Sequence, residues 1–246
     1  MLKRLYGNYW RFGFRTRLYD LLTPYAYLDS LDRCAGALQL REGERVLDAG
    51  CGSGLGFLAL TKQNPRVQVH YVGMDILQSG LEAGQVKARN RAANRKTFWV
   101  RADLSQPAPF RGEMFDKIMA HFSVYTLAEK AQRLSAWKSL HQVLTPGGTL
   151  VAANPSTDYD SRKIIEDSLN HPVLKKPALK YWQKRGLYCV TERLGLRHIE
   201  SQLRVGYWHA YAEGELEQEL ADAGFIPAGS QKVYAGSGWM VVASKP

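Results

Sequence analysis

Three aspartates follow short apolar runs: Asp48 after Val46-Leu47, Asp75 after Tyr71-Val72-Gly73-Met74, and Asp103 after Phe98-Trp99-Val100. Behind the first of them the chain reads Asp48-Ala49-Gly50-Cys51-Gly52-Ser53-Gly54-Leu55-Gly56. Glycines at alternate positions let the backbone turn tightly and approach a ligand closely, because no Cβ intervenes. The spacing departs from the G-x-G-x-x-G of dinucleotide sites. An acid two residues ahead of the first glycine repels a pyrophosphate and suits a positive group. A ligand with an amino-acid end and a nucleoside end fits this stretch better. On that reading Asp75 accepts from ribose hydroxyls and Asp103 from an adenine amino group. His121, at the mouth of a fourth apolar run, is the candidate general base, with Tyr125 a weaker one. The simpler alternative for His121 is a side chain that lines the ligand site and moves no proton. A lone aspartate after a strand is more often a turn or cap residue, so the order of the signals matters more than any one of them.

The elements that must position these groups alternate. Arg45-Val46-Leu47 reads as a buried strand, and the residues from Leu55 on, with Phe57, Leu58 and Leu60, begin a helix whose N–H groups face the loop. Strands are predicted at 68–75, 97–104 and 115–120, with helices over 77–94 and 129–143 between and after them. Leu144-Thr145-Pro146-Gly147-Gly148 is a turn into a fifth strand, Thr149 to Ala153. A helix over 215–223, capped by Gly224-Phe225, precedes two strands around Lys232-Val233-Tyr234 and Trp239-Met240-Val241-Val242. Upstream, Ala26 to Leu40 reads as a helix with Leu28, Leu31, Ala35 and Leu38 on one face.

These motifs, in this order, resemble the class I S-adenosylmethionine-dependent methyltransferases. The first motif of that family is apolar-apolar-acid-apolar-G-x-G-x-G, and Leu144-Thr145-Pro146-Gly147-Gly148 is similar to its L-x-P-G-G turn. The resemblance covers about residues 40–155 and extends to the final hairpin. It implies an α/β fold: a Rossmann-like, doubly wound seven-stranded sheet with an antiparallel final strand. A helical N-terminal cap (1–40) and an insertion after the fifth strand (155–212) would flank a core of 41–154 and 213–246. It implies S-adenosyl-L-methionine as cofactor, bound by Asp48, Gly50, Cys51, Gly52, Gly54, Asp75, Ile76, Asp103, Leu104 and His121. Tyr19-Asp20 resembles a signature of the ubiquinone and menaquinone methyltransferases. No Asn/Asp-Pro-Pro-Tyr motif follows the fourth strand, where His121-Phe122-Ser123 stands instead; amino-group methylation of bases or glutamine is therefore not expected.

The chain has 246 residues and a net charge of +10, from 33 Lys and Arg against 23 acids, a balance that favours anionic partners. The first nineteen residues carry Lys3, Arg4, Arg11, Arg15 and Arg17 among six aromatic residues, an arm that would rest on an anionic membrane or cover the site. The insertion repeats the pattern with Lys184, Arg185, Arg197, Arg204, Trp182, Tyr207 and Trp208. Leaving from the carboxyl end of a strand, it should roof the acceptor site. Cys34, Cys51 and Cys189 lack metal-ligand spacing and suggest reduced thiols in the cytoplasm. His198 and His209 likewise lack it, and no metal is expected. No secretory or membrane-spanning run is apparent. The expected activity is methyl transfer to an oxygen or carbon of a small, apolar or anionic acceptor. The alternatives are an RNA methyltransferase using the basic aromatic segments, and a catalytically silent cofactor-binding partner protein.

Overall fold

The computed structural model describes residues 22–91, 96–174 and 178–246, less the side chains at 178–181 and 194. The basic arm of residues 1–19, with Tyr19-Asp20, lies outside them. Seven strands run β1 (Arg45–Ala49), β2 (His70–Asp75), β3 (Thr97–Arg101), β4 (Phe115–His121), β5 (Leu144–Pro155), β6 (Ile226–Val233) and β7 (Gly238–Ser244). They form one sheet in the order β3-β2-β1-β4-β5-β7-β6. β1 pairs in parallel with β2 and β4, and β7 is antiparallel to both β5 and β6. The order reverses between β1 and β4, and the crevice at that switch point is where an open α/β sheet binds its ligand. Central strands are covered on both faces, so Val46, Leu47, Ile118, Met119, Leu150 and Val151 are fully buried.

The helices are α1 (Tyr25–Ala37), α2 (Leu55–Gln63), α3 (Gln78–Arg91), α4 (Lys130–Val143), α5 (Ser161–Asn170), α6 (Ala178–Thr191), α7 (Arg197–Arg204) and α8 (Glu215–Asp222). A π-helical stretch, Glu192–Leu196, joins α6 to α7. The predicted fold class is the observed one. The differences are local. β3 ends at Arg101, so Asp103 sits two residues past the strand rather than closing it. The Thr145-Pro146-Gly147-Gly148 turn is absorbed into β5 as an irregularity: Leu144 pairs with Phe115, and regular pairing resumes at Thr149 with Lys117. Gly147, at φ +71°, supplies the left-handed residue this requires.

On α1 the buried face is Ala26, Ser30, Leu31, Cys34 and Ala35, with Leu38 just beyond. Leu28 is only half-buried; a serine occupies the core-facing place instead. This helix and Leu22 just ahead of it are tied to the region after β5 by three hydrogen bonds. Tyr25 N donates to Tyr188 Oη at 3.2 Å, Ala26 N to Ser168 Oγ at 3.0 Å, and Thr191 Oγ1 to Leu22 O at 2.9 Å.

Candidate active site

A cleft of about 390 Å³ opens at the carboxyl ends of β1, β2 and β4 and beyond that of β3. This is within the ~300–1,000 Å³ of ordinary ligand pockets. One side is polar, with Asp48, Asp75 and Asp103; the other is aromatic, with Tyr27, Phe122, Tyr125, Tyr207 and Trp208.

Asp48 is 2% exposed and receives one hydrogen bond, from Tyr71 Oη at 2.8 Å. Burial pushes its carboxyl up to about 7, with the nearby Asp75 adding to the rise and the Tyr71 hydroxyl opposing it. Such a group is stabilised by a cation arriving in the cleft. The carboxylate fits only because residue 56 has no side chain: a Cβ there would lie 2.2 Å from Asp48 Oδ2 and 2.6 Å from Met119 Cε.

The glycine turn works differently from a phosphate cradle. Gly50 and Cys51 donate their N–H groups to Met74 O, at 2.8 and 3.0 Å, and Gly54 donates to Cys51 O at 2.9 Å. Gly52 N donates to Asp75 Oδ2 at 2.8 Å. These four donors are committed inside the protein. Gly54 does not line the cleft: a Cβ on it would meet Gly84 Cα at 2.8 Å and Trp99 at 2.9 Å. Its left-handed φ of +79° starts α2, and its bare face admits the indole. Gly50 does line the cleft, and a Cβ there would fall 2.3 Å from Ser123 Cβ.

Asp75 is held by both oxygens, with Leu77 N donating to Oδ1 at 2.8 Å opposite the Gly52 bond. Burial raises its pKa against the pull of these backbone donors. A carboxylate has about four lone-pair sites, so the fixed group still has capacity for ribose hydroxyls. Asp103 Oδ1 accepts from Ser105 N at 2.9 Å, and Ile76, Cys51 and Leu104 line the same wall. Their arrangement along one wall suits a nucleoside end, with Asp48 and the glycine turn left for the amino-acid end.

His121 is 5% exposed, and desolvation drives its pKa down to about 3, so the ring is neutral. It stacks edge-on against Tyr27 and Phe122, with centroids at 4.8 and 4.6 Å. Phe122 adopts φ +48°, uncommon for a side chain of this size, at the turn that carries the aromatic wall. Tyr125 is buried beside Trp208, with ring centroids 5.7 Å apart. His121 and Tyr125 are thus both on the cleft. Sequence reasoning missed Ser123, Ser30 and Tyr27. It placed Gly56 within the motif without a role, and Trp208 only within a basic aromatic stretch.

His209, Glu215 and Glu219 bring one ligand atom each within 4.8 Å of one another. Glu219 is already occupied by Arg133, Trp137 and Tyr211, and His209 Nε2 lies 2.8 Å from Glu215 Oε1. A guanidinium beside the group opposes a cation there.

Residues 46–148 match the methyltransferase domain family. A ubiquinone/menaquinone biosynthesis C-methyltransferase of Coxiella burnetii is 31% identical over 216 residues, 84% of this chain and 78% of the relative. A demethylmenaquinone methyltransferase of Lactiplantibacillus plantarum is 30% identical over 120 residues, and that match spans about half of each chain, 48% of both. In fold, an S-adenosylmethionine-dependent methyltransferase of Aquifex aeolicus superposes with a TM-score of 0.53 at 17% identity, over 83% of both chains. The chain belongs to the class I S-adenosylmethionine-dependent methyltransferases. Among the described residues, no helix is long and apolar enough to cross a membrane.

Proposed function

We propose that the protein transfers a methyl group to an oxygen or carbon atom of a small, uncharged, apolar acceptor. One observation carries this reading. The charged residues on the cleft are Asp48, Asp75 and Asp103, and no Lys or Arg is among its described lining residues. A cleft of that sign disfavours an anionic acceptor, while Tyr27, Phe122, Tyr125, Tyr207 and Trp208 offer an apolar bed.

S-adenosylmethionine, when bound, supplies an electrophilic methyl group on a sulfonium. Asp48 would balance the positive charge of the bound molecule, Asp75 would accept from its ribose, and Asp103 from its adenine. The aromatic wall excludes water and orients the acceptor, and such alignment supplies several kcal/mol of a transfer barrier. The related C. burnetii and L. plantarum proteins are named for quinone substrates, which are apolar and cyclic.

An RNA substrate is less well supported. Lys184 lies over the Tyr25 and Tyr188 rings, and Arg197 and Arg204 are paired with Glu192 and Glu200. These three basic side chains beyond β5 are therefore engaged locally. Incubation with methyl-labelled S-adenosylmethionine and a cell extract tests the choice. Label is expected in the organic phase; nuclease-sensitive label in the aqueous phase would overturn it.

A further inference from the structure

The two nitrogens of His121 are not in the same state. Nε2 lies 2.9 Å from Ser30 Oγ, and that hydroxyl lies 2.8 Å from Tyr27 O. A hydroxyl has one proton, and a carbonyl oxygen can only accept. Ser30 therefore donates to Tyr27 O and accepts from the imidazole, so Nε2 carries the ring hydrogen. In a neutral ring Nδ1 is then a bare lone pair. Among the described residues that lone pair is buried without a partner, and so is the hydroxyl of Ser123, two residues further on. Both residues line the cleft. Native interiors rarely leave buried polar atoms unsatisfied unless a water or ligand completes them.

We propose that Ser30 is a positioning residue: it fixes His121 as the Nε2–H tautomer, so that Nδ1 and the Ser123 hydroxyl form the hydrogen-bonding point for a donor group on the methyl acceptor. The proposal rests on the reading of the cleft as a methyl-transfer site. Burial, which keeps the ring uncharged, suits the same task. His121 then orients an acceptor hydroxyl by taking a hydrogen bond from it, and does not remove its proton at neutral pH. Ser30 itself is fully buried on the core face of α1, a place the periodicity of the helix would give to an apolar residue.

The tautomer is directly readable. In protein labelled with ¹⁵N-histidine at pH 7, the His121 Nδ1 resonance should fall in the unprotonated region and Nε2 in the protonated one. Ser30→Ala should move His121 toward a mixture of tautomers, and Ser30→Thr, which keeps the hydroxyl, should restore the original spectrum. In the presence of S-adenosylhomocysteine, phenol should shift the Nδ1 resonance and anisole should not. Ser30→Ala should reduce the preference for phenol over anisole by roughly 3- to 10-fold. A wild-type ring protonated at Nδ1, or a tautomer unchanged in Ser30→Ala, would overturn the positioning role. Equal effects of phenol and anisole, or none from either, would mean that the lone pair serves a water only. If Ser30→Ala does not fold, the wild-type and Ser30→Thr spectra decide the matter. None of these outcomes bears on S-adenosylmethionine binding, which calorimetry tests separately, so failure of the tautomer and failure of the proposed function are distinguishable.

Discussion

Arg133 Nη2 meets Glu219 Oε1 at 2.7 Å with both side chains almost fully enclosed, 2% and 1% exposed. Trp137 Nε1 and Tyr211 Oη also donate to Glu219, at 3.3 and 3.0 Å, and Arg133 Nη1 donates to Ala128 O at 2.6 Å. Ala128 lines the cleft, so a buried ion pair on α4 and α8 fixes one of its walls. Removing one member of such a pair leaves a buried charge uncompensated. Glu219→Gln is expected to destabilise the fold by about 3–5 kcal/mol, whereas replacing both residues by apolar ones of similar volume should cost much less. Urea denaturation of the single and double variants checks this; equal losses would show that the charge itself is unimportant.

Asp48 and His121 impose opposite pH dependences. The Asp48 carboxyl titrates near 3.8 when unfolded and about 7 in the fold, so its contribution to stability is present at low pH and lost as pH rises through that interval. The His121 imidazole titrates near 6.5 unfolded and about 3 folded, so its contribution is present at neutral pH and lost as pH falls. Between about pH 4.5 and 6 the two slopes, each about 1.4 kcal/mol per pH unit, largely cancel. Asp48→Asn should therefore make stability rise more steeply with pH than in the wild type, and His121→Gln should make it rise less or fall. Denaturation midpoints across this range measure both, and three identical profiles would contradict the assignment.

The same carboxyl predicts proton release. Near pH 6.5 a large fraction of Asp48 is protonated, and a cation bound beside it lowers its pKa. Binding of S-adenosylmethionine should release part of a proton in the wild type and none from this site in Asp48→Asn. Calorimetry in buffers of different ionisation enthalpy reads the number directly.

Two glycines should respond in opposite directions to alanine. At Gly56 the new methyl would clash with the Asp48 carboxylate, and cofactor affinity should fall at least tenfold with about 1–3 kcal/mol of stability. At Gly186, inside α6, no described residue outside the helix's own turns lies within 4 Å of an added Cβ, and alanine should stabilise by roughly 0.5–1 kcal/mol through helix propensity. Thermal melts and isothermal titration separate the two effects.

These cases show which parts of the site are legible in the chain. Asp48, Asp75 and the glycine turn are readable because strand ends, acids and turns lie within a few residues of one another, and local spacing fixes their chemistry. Gly54 shows the limit. Its motif position suggests a ligand contact, yet what a side chain there would meet is Gly84 of α3 and Trp99 of β3, both brought there by the fold. Ser30 and Trp208 were beyond such reading for the same reason: each acquires its role from a partner, His121 or Tyr125, that is remote in sequence. The choice of an apolar over an anionic acceptor likewise needed the cleft, because a net charge of +10 says nothing about which charges face inward.

The three bonds that tie Leu22, Tyr25 and Ala26 to Thr191, Tyr188 and Ser168 span 142 to 169 positions along the chain. On a ribosome, α1 emerges before the strands of the sheet and waits for residues made long afterwards. The parallel strands β1 to β4 can pair in the interval, since their contacts are nearer in sequence. The aromatic side of the cleft, to which Tyr27, Tyr207 and Trp208 belong, is thus completed after the side that carries the aspartates. A nascent chain halted before Ser168 would hold the glycine corner with its aromatic wall still open.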